Sequence, residues 1–413
     1  MIPRKLDTIG AMRILLTENI HPVAQKRLAD EGYKVDLLTY APSESEYNDL
    51  LKNYDVLGIR SKSEITENIL TNNKHLHAIG AFCIGTNQIK LDFANTMGIP
   101  VFNAPHSNTR SVAELVIAEM ISLSRQLGDR NTLAHQGEWM KSAEGSKEVR
   151  GKTLGIVGYG HIGSQVSVLA EAMGMRVVFY DVIKKLPLGN AQSKSQLADL
   201  FADADFISLH VPETPETKNM MTAKQFEQMK KGSFLINASR GTVIQIDDLV
   251  AALKENHIAG AALDVFPEEP ASNKEKFRSP LQGLKNVILT PHIGGSTEEA
   301  QYSIGLEVAE SFRKFLQTGT TAGAVNFPNV ELAPKKNVTR IMNVHRNEPG
   351  VLGELNGFIS EAKANILGQY LSTDQSIGYL VTDLELHNSQ LTTDKLVAKF
   401  KSSTRNIKTR VVF

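Results

Sequence analysis

The stretch GKTLGIVGYGHIGSQVSVLAEAMGMRVVFYD, residues 151–181, limits what this chain can fold into more than any other. LGIVG is a short apolar run suited to a strand buried in a parallel sheet. Gly158, Gly160 and Gly163 follow in G-x-G-x-x-G order. The first permits a tight turn, the second lets a pyrophosphate approach the backbone, and the third lets a helix pack closely on the strand. His161 and Ile162 fall at the start of that helix, where free N–H groups and the positive end of the dipole suit a phosphate. Ile162, Val166, Leu169, Ala170 and Met173 then recur at helical spacing. A second strand, RVVFY, ends at Asp181. An acid there suits two ribose hydroxyls and repels a 2′-phosphate, so the expected cofactor is NAD, not NADP.

A chain of 413 residues is long enough for two or three domains, each with its own core. Its 45 basic and 45 acidic residues cancel, which argues against nucleic acid or membrane phosphates as main partners. The lone cysteine, Cys83, rules out an internal disulfide framework and suits a reducing, cytoplasmic setting. No apolar run is long enough for a membrane span, and the N-terminus does not read as a secretory signal.

Residues 12–106 alternate short apolar strands with polar helical segments, the rhythm of a parallel sheet covered by helices. A long apolar helix over 109–127 leads into the glycine-turn unit. That unit, 108–294, reads as a doubly wound sheet of roughly six or seven strands. Another long helix, 296–319, returns to the first unit, so 1–107 and 295–330 form one discontinuous substrate-binding domain. The two connecting helices would act as a hinge. The segment AVNFPNVELAPKKN, 324–337, reads as a linker. Residues 338–413 follow β-α-β-β-α-β order, that of a small ferredoxin-like domain. The expected class is therefore α/β, with two doubly wound parallel-sheet domains, one of them a Rossmann domain, and a ferredoxin-like third. At about 75 residues the third is marginal alone, and pairing its sheet with that of a second copy would stabilise it.

Three strand ends of the glycine-turn unit carry chemistry: INASRG with Arg240, ALDVFPEEP with Asp264 and Glu269, and LTPHIGG with His292. In open α/β sheets ligands bind beyond the carboxyl ends of strands, so these segments face one place. Oxidising a C–H that bears a hydroxyl needs a base for the O–H proton. A histidine supported by a carboxylate suits that task, as His292 with Glu269. Arg240 can grip a carboxylate through two parallel hydrogen bonds. A phosphate on a substrate would need positive charge away from Arg240, for which Arg60, Lys62 and Lys141 are candidates.

The glycine turn, INASRG, DVFPEEP and TPHIGG together resemble the D-isomer-specific 2-hydroxyacid dehydrogenases over the first 330 residues. The resemblance implies Arg240 as substrate anchor, Glu269 as support for the base, His292 as acid/base, and Asp264 on the nicotinamide side. It also implies Arg60, Ser61 and Asn108 on the substrate side. GIRSKS (58–63), FCIGTNQI (82–89), FNAPHSNTRSVAELVI (102–117), YDVIKKLPLGNA (180–191) and HVPETPETKNMM (210–221) narrow the match to members that oxidise 3-phospho-D-glycerate on the route to serine. Residues 338–413 resemble an ACT domain, a small regulatory module that binds amino acids between subunits. Carried over, His345 and Asn347, with Asn365 of a facing chain, imply an L-serine site and feedback inhibition. The resemblance further implies a homotetramer. Two alternatives stay open: action on another D-2-hydroxy acid, including reduction of 2-oxoglutarate, and a non-enzymatic NADH sensor of the corepressor type.

Overall fold

The computed structural model describes residues 12–270, 274–385 and 389–412, and the chain divides into two compact units. One joins Met1–Ser107 to Gln301–Phe413, and the other is Asn108–Ala300.

In the first unit the strands β1 (Arg13–Leu16), β2 (Lys34–Leu37), β3 (Val56–Ile59), β4 (Ala78–Ala81) and β5 (Val101–Phe102) form a parallel sheet in the order β2-β1-β3-β4-β5. β3 and β4 are buried throughout because both faces are covered, so they read as unbroken apolar runs with no alternation. The helix Glu298–Thr318, most of which belongs to this unit, brings Val308, Phe312 and Phe315 onto Phe82 and Phe102.

The segment read as a linker is instead packed from Ala324 to Leu332. Phe327, Val330 and Leu332 are buried in that same core. Asn326 accepts the Val101 N–H at 2.8 Å and donates to the carbonyls of Leu91 and Ile99. Its prolines and lysines suggested a spacer, but its three large apolar side chains gain more from burial than a solvated linker allows.

The second unit carries β6 (Thr153–Val157), β7 (Arg176–Tyr180), β8 (Gln192–Ser193), β9 (Phe206–Leu209), β10 (Ser233–Asn237), β11 (Ile258–Leu263) and β12 (Val287–Leu289). All seven run parallel, in the order β12-β11-β10-β9-β6-β7-β8. The order reverses at β6, where the glycine turn begins, and such a switch point is where open α/β sheets bind ligands. The helix Thr109–Arg125 packs Val112, Val116, Met120 and Leu123 against Ile156, Val166 and Ala170. Gln126, left-handed at φ 52°, ends it, and a second helix, Leu127–His135, starts at once. That helix buries none of its residues, so it leaves no apolar stripe to be read in the sequence.

At the end of the first unit β13 (Thr339–Arg346), β14 (Asn365–Thr373), β15 (Ile377–Glu385) and β16 (Asn406–Val412) form an antiparallel sheet, β14-β15-β13-β16. With helices Val351–Glu361 and Ser389–Ser402 this is the β-α-β-β-α-β arrangement. The sheet shares a core with the first: Met342, Val344, Tyr379 and Val381 lie in one cluster with Phe312 and Phe315. Arg340, buried, holds Asp383 through two parallel hydrogen bonds of 2.6 and 3.0 Å and reaches the carbonyl of Thr318. No helix among the described residues is long and apolar enough to cross a membrane.

Candidate active site

The glycine turn has the geometry that its spacing implies. Gly158 sits at φ +93°, and a Cβ there would lie 2.3 Å from the His210 carbonyl oxygen. A Cβ on Gly163 would lie 2.2 Å from the Gly158 carbonyl oxygen, so only glycine lets helix and turn approach this closely. A Cβ on Gly160 would meet nothing, which leaves open space at the start of helix His161–Ala172. No side chain caps that helix, whose first turn begins at His161 and Ile162, and the first-turn amides of a helix point out of it toward a ligand. Asp181, at the end of β7, accepts the N–H groups of Tyr159 and Ile183, one on each oxygen. Each oxygen keeps a lone pair for a further donor. An open anion cradle at a helix start and an acid at the next strand end fit a dinucleotide with free ribose hydroxyls.

Past β11 and β12 the chain brings Glu269 to His292. Nδ1 of His292 lies 2.8 Å from Oε2 of Glu269, whose Oε1 accepts the Phe266 N–H at 3.0 Å. A carboxylate only accepts, so the neutral imidazole carries its hydrogen on Nδ1 and leaves Nε2 with a lone pair. The hydrogen bond to Glu269 raises the His292 pKa above its usual value against the opposing effect of burial, and the nearby Asp264 charge adds to the rise. Burial acts to raise the Glu269 pKa, but the His292 hydrogen bond, the Phe266 amide and the Arg240 charge outweigh it and hold it low. Arg240 follows β10, its guanidinium donating to the Ser239 carbonyl at 2.6 Å, and its charge is felt by both members of the pair. His292 is left-handed, with φ 53°, in a tight turn closed by its N–H to the Thr290 carbonyl.

The loop that carries His292 is fixed from below by Asp264, which is buried. Oδ1 of Asp264 accepts the Thr290 hydroxyl at 2.6 Å and the Ile293 N–H at 2.8 Å, and Oδ2 accepts the Gly294 N–H at 2.7 Å. Asn108 stands at the start of helix Thr109–Arg125, and its Nδ2 is close enough to Gly295 that a Cβ there would lie 2.3 Å away. Its Oδ1 is buried without a partner among the described residues. The structure thus gathers Asn108, Arg240, Asp264, Glu269 and His292. Lys141 lies in an exposed segment beyond helix Leu127–His135, with no hydrogen bond or ion pair to that cluster among the described residues.

In the first unit Arg60 and Ser61 follow β3, and the Arg60 guanidinium has no ion-pair partner among the described residues. On the small sheet, His345 is buried and its Nδ1 meets Oδ1 of Asn343 at 2.9 Å, while burial lowers its pKa. Asn347 donates to the Asp374 carbonyl, and Asn365 stands exposed at the start of β14, donating to Glu385.

Two acidic residues go unremarked in the sequence. Glu119 lies 3 % exposed behind the His292 loop, with the Thr290 hydroxyl 3.5 Å from one oxygen and no partner for the other. Burial and the Asp264 charge push its pKa up to about 8. The available signal was a carboxylate on the apolar face of its helix. Glu18, after β1, ties down the loop that carries Arg60.

Residues 117–294 match the family model for the D-isomer specific 2-hydroxyacid dehydrogenase, NAD binding domain. Sheet order, glycine turn and strand-end cluster therefore define an NAD-dependent dehydrogenase fold of that class. A D-lactate dehydrogenase from Aquifex aeolicus, solved in complex with NAD and lactic acid, is similar in structure, with a TM-score of 0.63 and 29% identity over 73% of this chain and 95% of that one. The chain is 48% identical to a D-3-phosphoglycerate dehydrogenase of Dictyostelium discoideum over 97% of both chains, and 49% identical to that of Escherichia coli K12 over 97% of this chain and 98% of the other. It belongs to the D-3-phosphoglycerate dehydrogenase family.

Proposed function

We propose that this chain oxidises 3-phospho-D-glycerate to 3-phosphooxypyruvate, a cytoplasmic step in making serine. The observation that carries the chemistry is the His292–Glu269 pair, held beside Arg240 at the strand ends of the dinucleotide fold. Arg240 grips the substrate carboxylate, which orients the neighbouring hydroxyl. Nε2 of His292 takes the hydroxyl proton as the C–H bond breaks, and Glu269 steadies the imidazolium that results. Bound NAD supplies the acceptor for the hydride. Asn108 adds a polar contact through its Oδ1, unpartnered among the described residues, and Asp264 keeps the His292 loop at its working distance. Arg60, Ser61 and Lys141 are the positions assigned to the phosphorylated end, with Arg60 the strongest because its guanidinium is unpaired among the described residues.

A rate assay with 3-phosphoglycerate and NAD tests the reading, run beside an unphosphorylated D-2-hydroxy acid and beside 2-oxoglutarate with NADH. Turnover only with the last two would replace it with the alternative dehydrogenase. No turnover with any would favour a sensor.

The small sheet supports a regulatory reading. His345, neutral in its buried setting, and the amides of Asn347 and Asn365 can meet the carboxylate, ammonium and hydroxyl of L-serine. Among the described residues strand β14 has a neighbouring strand on one side only, and it exposes Ile366, Leu367, Tyr370 and Leu371. An unpaired edge with apolar side chains favours a second copy there, within a homotetramer. Millimolar serine should lower the rate and raise the melting temperature, since an effector must bind one state more tightly than the other. If serine changes neither, the site is not regulatory.

A further inference from the structure

We infer that Glu18 is the positioning residue of an anion-binding loop, Arg60–Ser63, that takes the phosphorylated end of the substrate. The first sheet has the order β2-β1-β3-β4-β5, so its switch point lies between β1 and β3. The segments that leave the carboxyl ends of these two strands are Thr17–Asn19 and Arg60–Ser63. Glu18 and Asn19 are both left-handed, at φ 60° and 54°, a conformation that non-glycine residues adopt only where the surroundings impose it. Here the Glu18 and Asn19 N–H groups are held by the carbonyls of Tyr40 and Leu38.

The result turns the Glu18 carboxylate under the next loop. Oε1 accepts the N–H groups of Arg60 at 3.0 Å and Ser63 at 3.1 Å, and Oε2 accepts that of Lys62 at 2.9 Å. Glu18 is 6% exposed, and a buried carboxylate is tolerable because three amides satisfy it. The carboxylate meets the backbone and not the cationic side chains, so it shapes the loop without neutralising the Arg60 guanidinium. Lys62 likewise has no ion pair among the described residues and stands exposed. The Ser61 N–H is passed over by Glu18 and finds no acceptor among the described residues. The back of the loop is fastened as well: the Ser63 hydroxyl meets that of Tyr47 at 2.6 Å, and Gln88 donates to the Arg60 carbonyl. A rigid loop with two unspent cations and one free amide at a switch point is built for a compact, multiply charged anion.

This inference rests on the proposed substrate, so its test separates the two. Steady-state rates of the full chain with 3-phosphoglycerate and NAD are compared for the wild type, Glu18→Gln, Glu18→Ala and Arg60→Ala, with an unphosphorylated D-2-hydroxy acid as control. Glu18→Gln turns an NH2 group toward one of the three amides and should raise the KM for 3-phosphoglycerate about tenfold. The KM for NAD and the parameters for the control acid should hold within about twofold. If Arg60→Ala is impaired on the phosphorylated substrate and Glu18→Gln is not, or if Glu18→Gln weakens both acids equally, the inference fails alone. If Arg60→Ala keeps the wild-type discrimination between the acids, weakening both equally or neither, the phosphate reading fails and takes the inference with it. Should Glu18→Ala not fold, Glu18→Gln decides the matter.

Discussion

Nδ1 of His292 and Oε2 of Glu269 stand 2.8 Å apart, and each changes the other's readiness to ionise. The histidine pKa is raised and the glutamate pKa lowered, so the pair favours imidazolium with carboxylate. Its stabilisation therefore holds between about pH 4.5 and pH 6.5, is lost as pH falls through the lowered glutamate value, and is lost again as pH rises through the raised histidine value.

For oxidation of an alcohol the histidine must start neutral. The rate of 3-phosphoglycerate oxidation should rise with pH to a plateau, with an apparent pKa above 6.5. Glu269→Gln removes the cause of the rise, so the midpoint of kcat/KM against pH should move toward acid while the plateau drops. A midpoint unmoved by Glu269→Gln would show that another group controls the limb.

His292→Ala should lower kcat by about 10²–10⁴ while NAD affinity stays unchanged, because the dinucleotide is held by the glycine turn. Fluorescence titration with NADH alongside turnover measures both. Loss of NADH binding in parallel with rate would contradict the separation.

Asp264→Asn should act through the His292 loop. The new NH2 group must face one of the donors at Thr290, Ile293 or Gly294, which costs roughly 1–3 kcal/mol of stability. Turnover should fall together with melting temperature. Retained stability with lost turnover would instead give Asp264 a direct role toward the cofactor.

Glu119, with its pKa pushed up to about 8 by burial and Asp264, is neutral at pH 7 when folded and ionised when unfolded. Such a group destabilises the fold increasingly from about pH 4.5 upward, levelling off above pH 8. Glu119→Gln removes that penalty. Its gain in unfolding free energy over the wild type should grow between pH 5 and pH 8, reaching on the order of a few kcal/mol. A gain independent of pH would mean that Glu119 does not titrate in this range.

Gly163→Ala places a methyl group against the Gly158 carbonyl and should weaken NAD binding by forcing turn and helix apart. Gly160→Ala meets no protein atom, so the free protein should keep its melting temperature while NAD affinity falls. Equal NAD affinity in Gly160→Ala would mean that the cofactor does not approach there.

The dinucleotide fold was legible because its devices are local. Gly158, Gly160, Gly163 and Asp181 are spaced along one strand-turn-helix-strand unit, and sterics at Gly158 and Gly163 admit only glycine. Helix Leu127–His135 was not legible, because it buries nothing and the break at Gln126 lacks glycine or proline. The segment from Ala324 to Leu332 was misread for the opposite reason: its linker composition conceals Phe327, Val330 and Leu332, which find a core only once the first sheet exists.

The sequence by itself determined most of the order of strands and helices, the glycine cradle, and the residue types able to grip a carboxylate and take a proton. Only the tertiary structure decided that Asp264 would spend both oxygens on the His292 loop, that Glu119 would lie uncharged behind it, and that Glu18 would hold the amides of Arg60, Lys62 and Ser63. A carboxylate's role depends on which donors face it and how much water remains. Those donors come from segments far apart in the chain, so no local spacing records them.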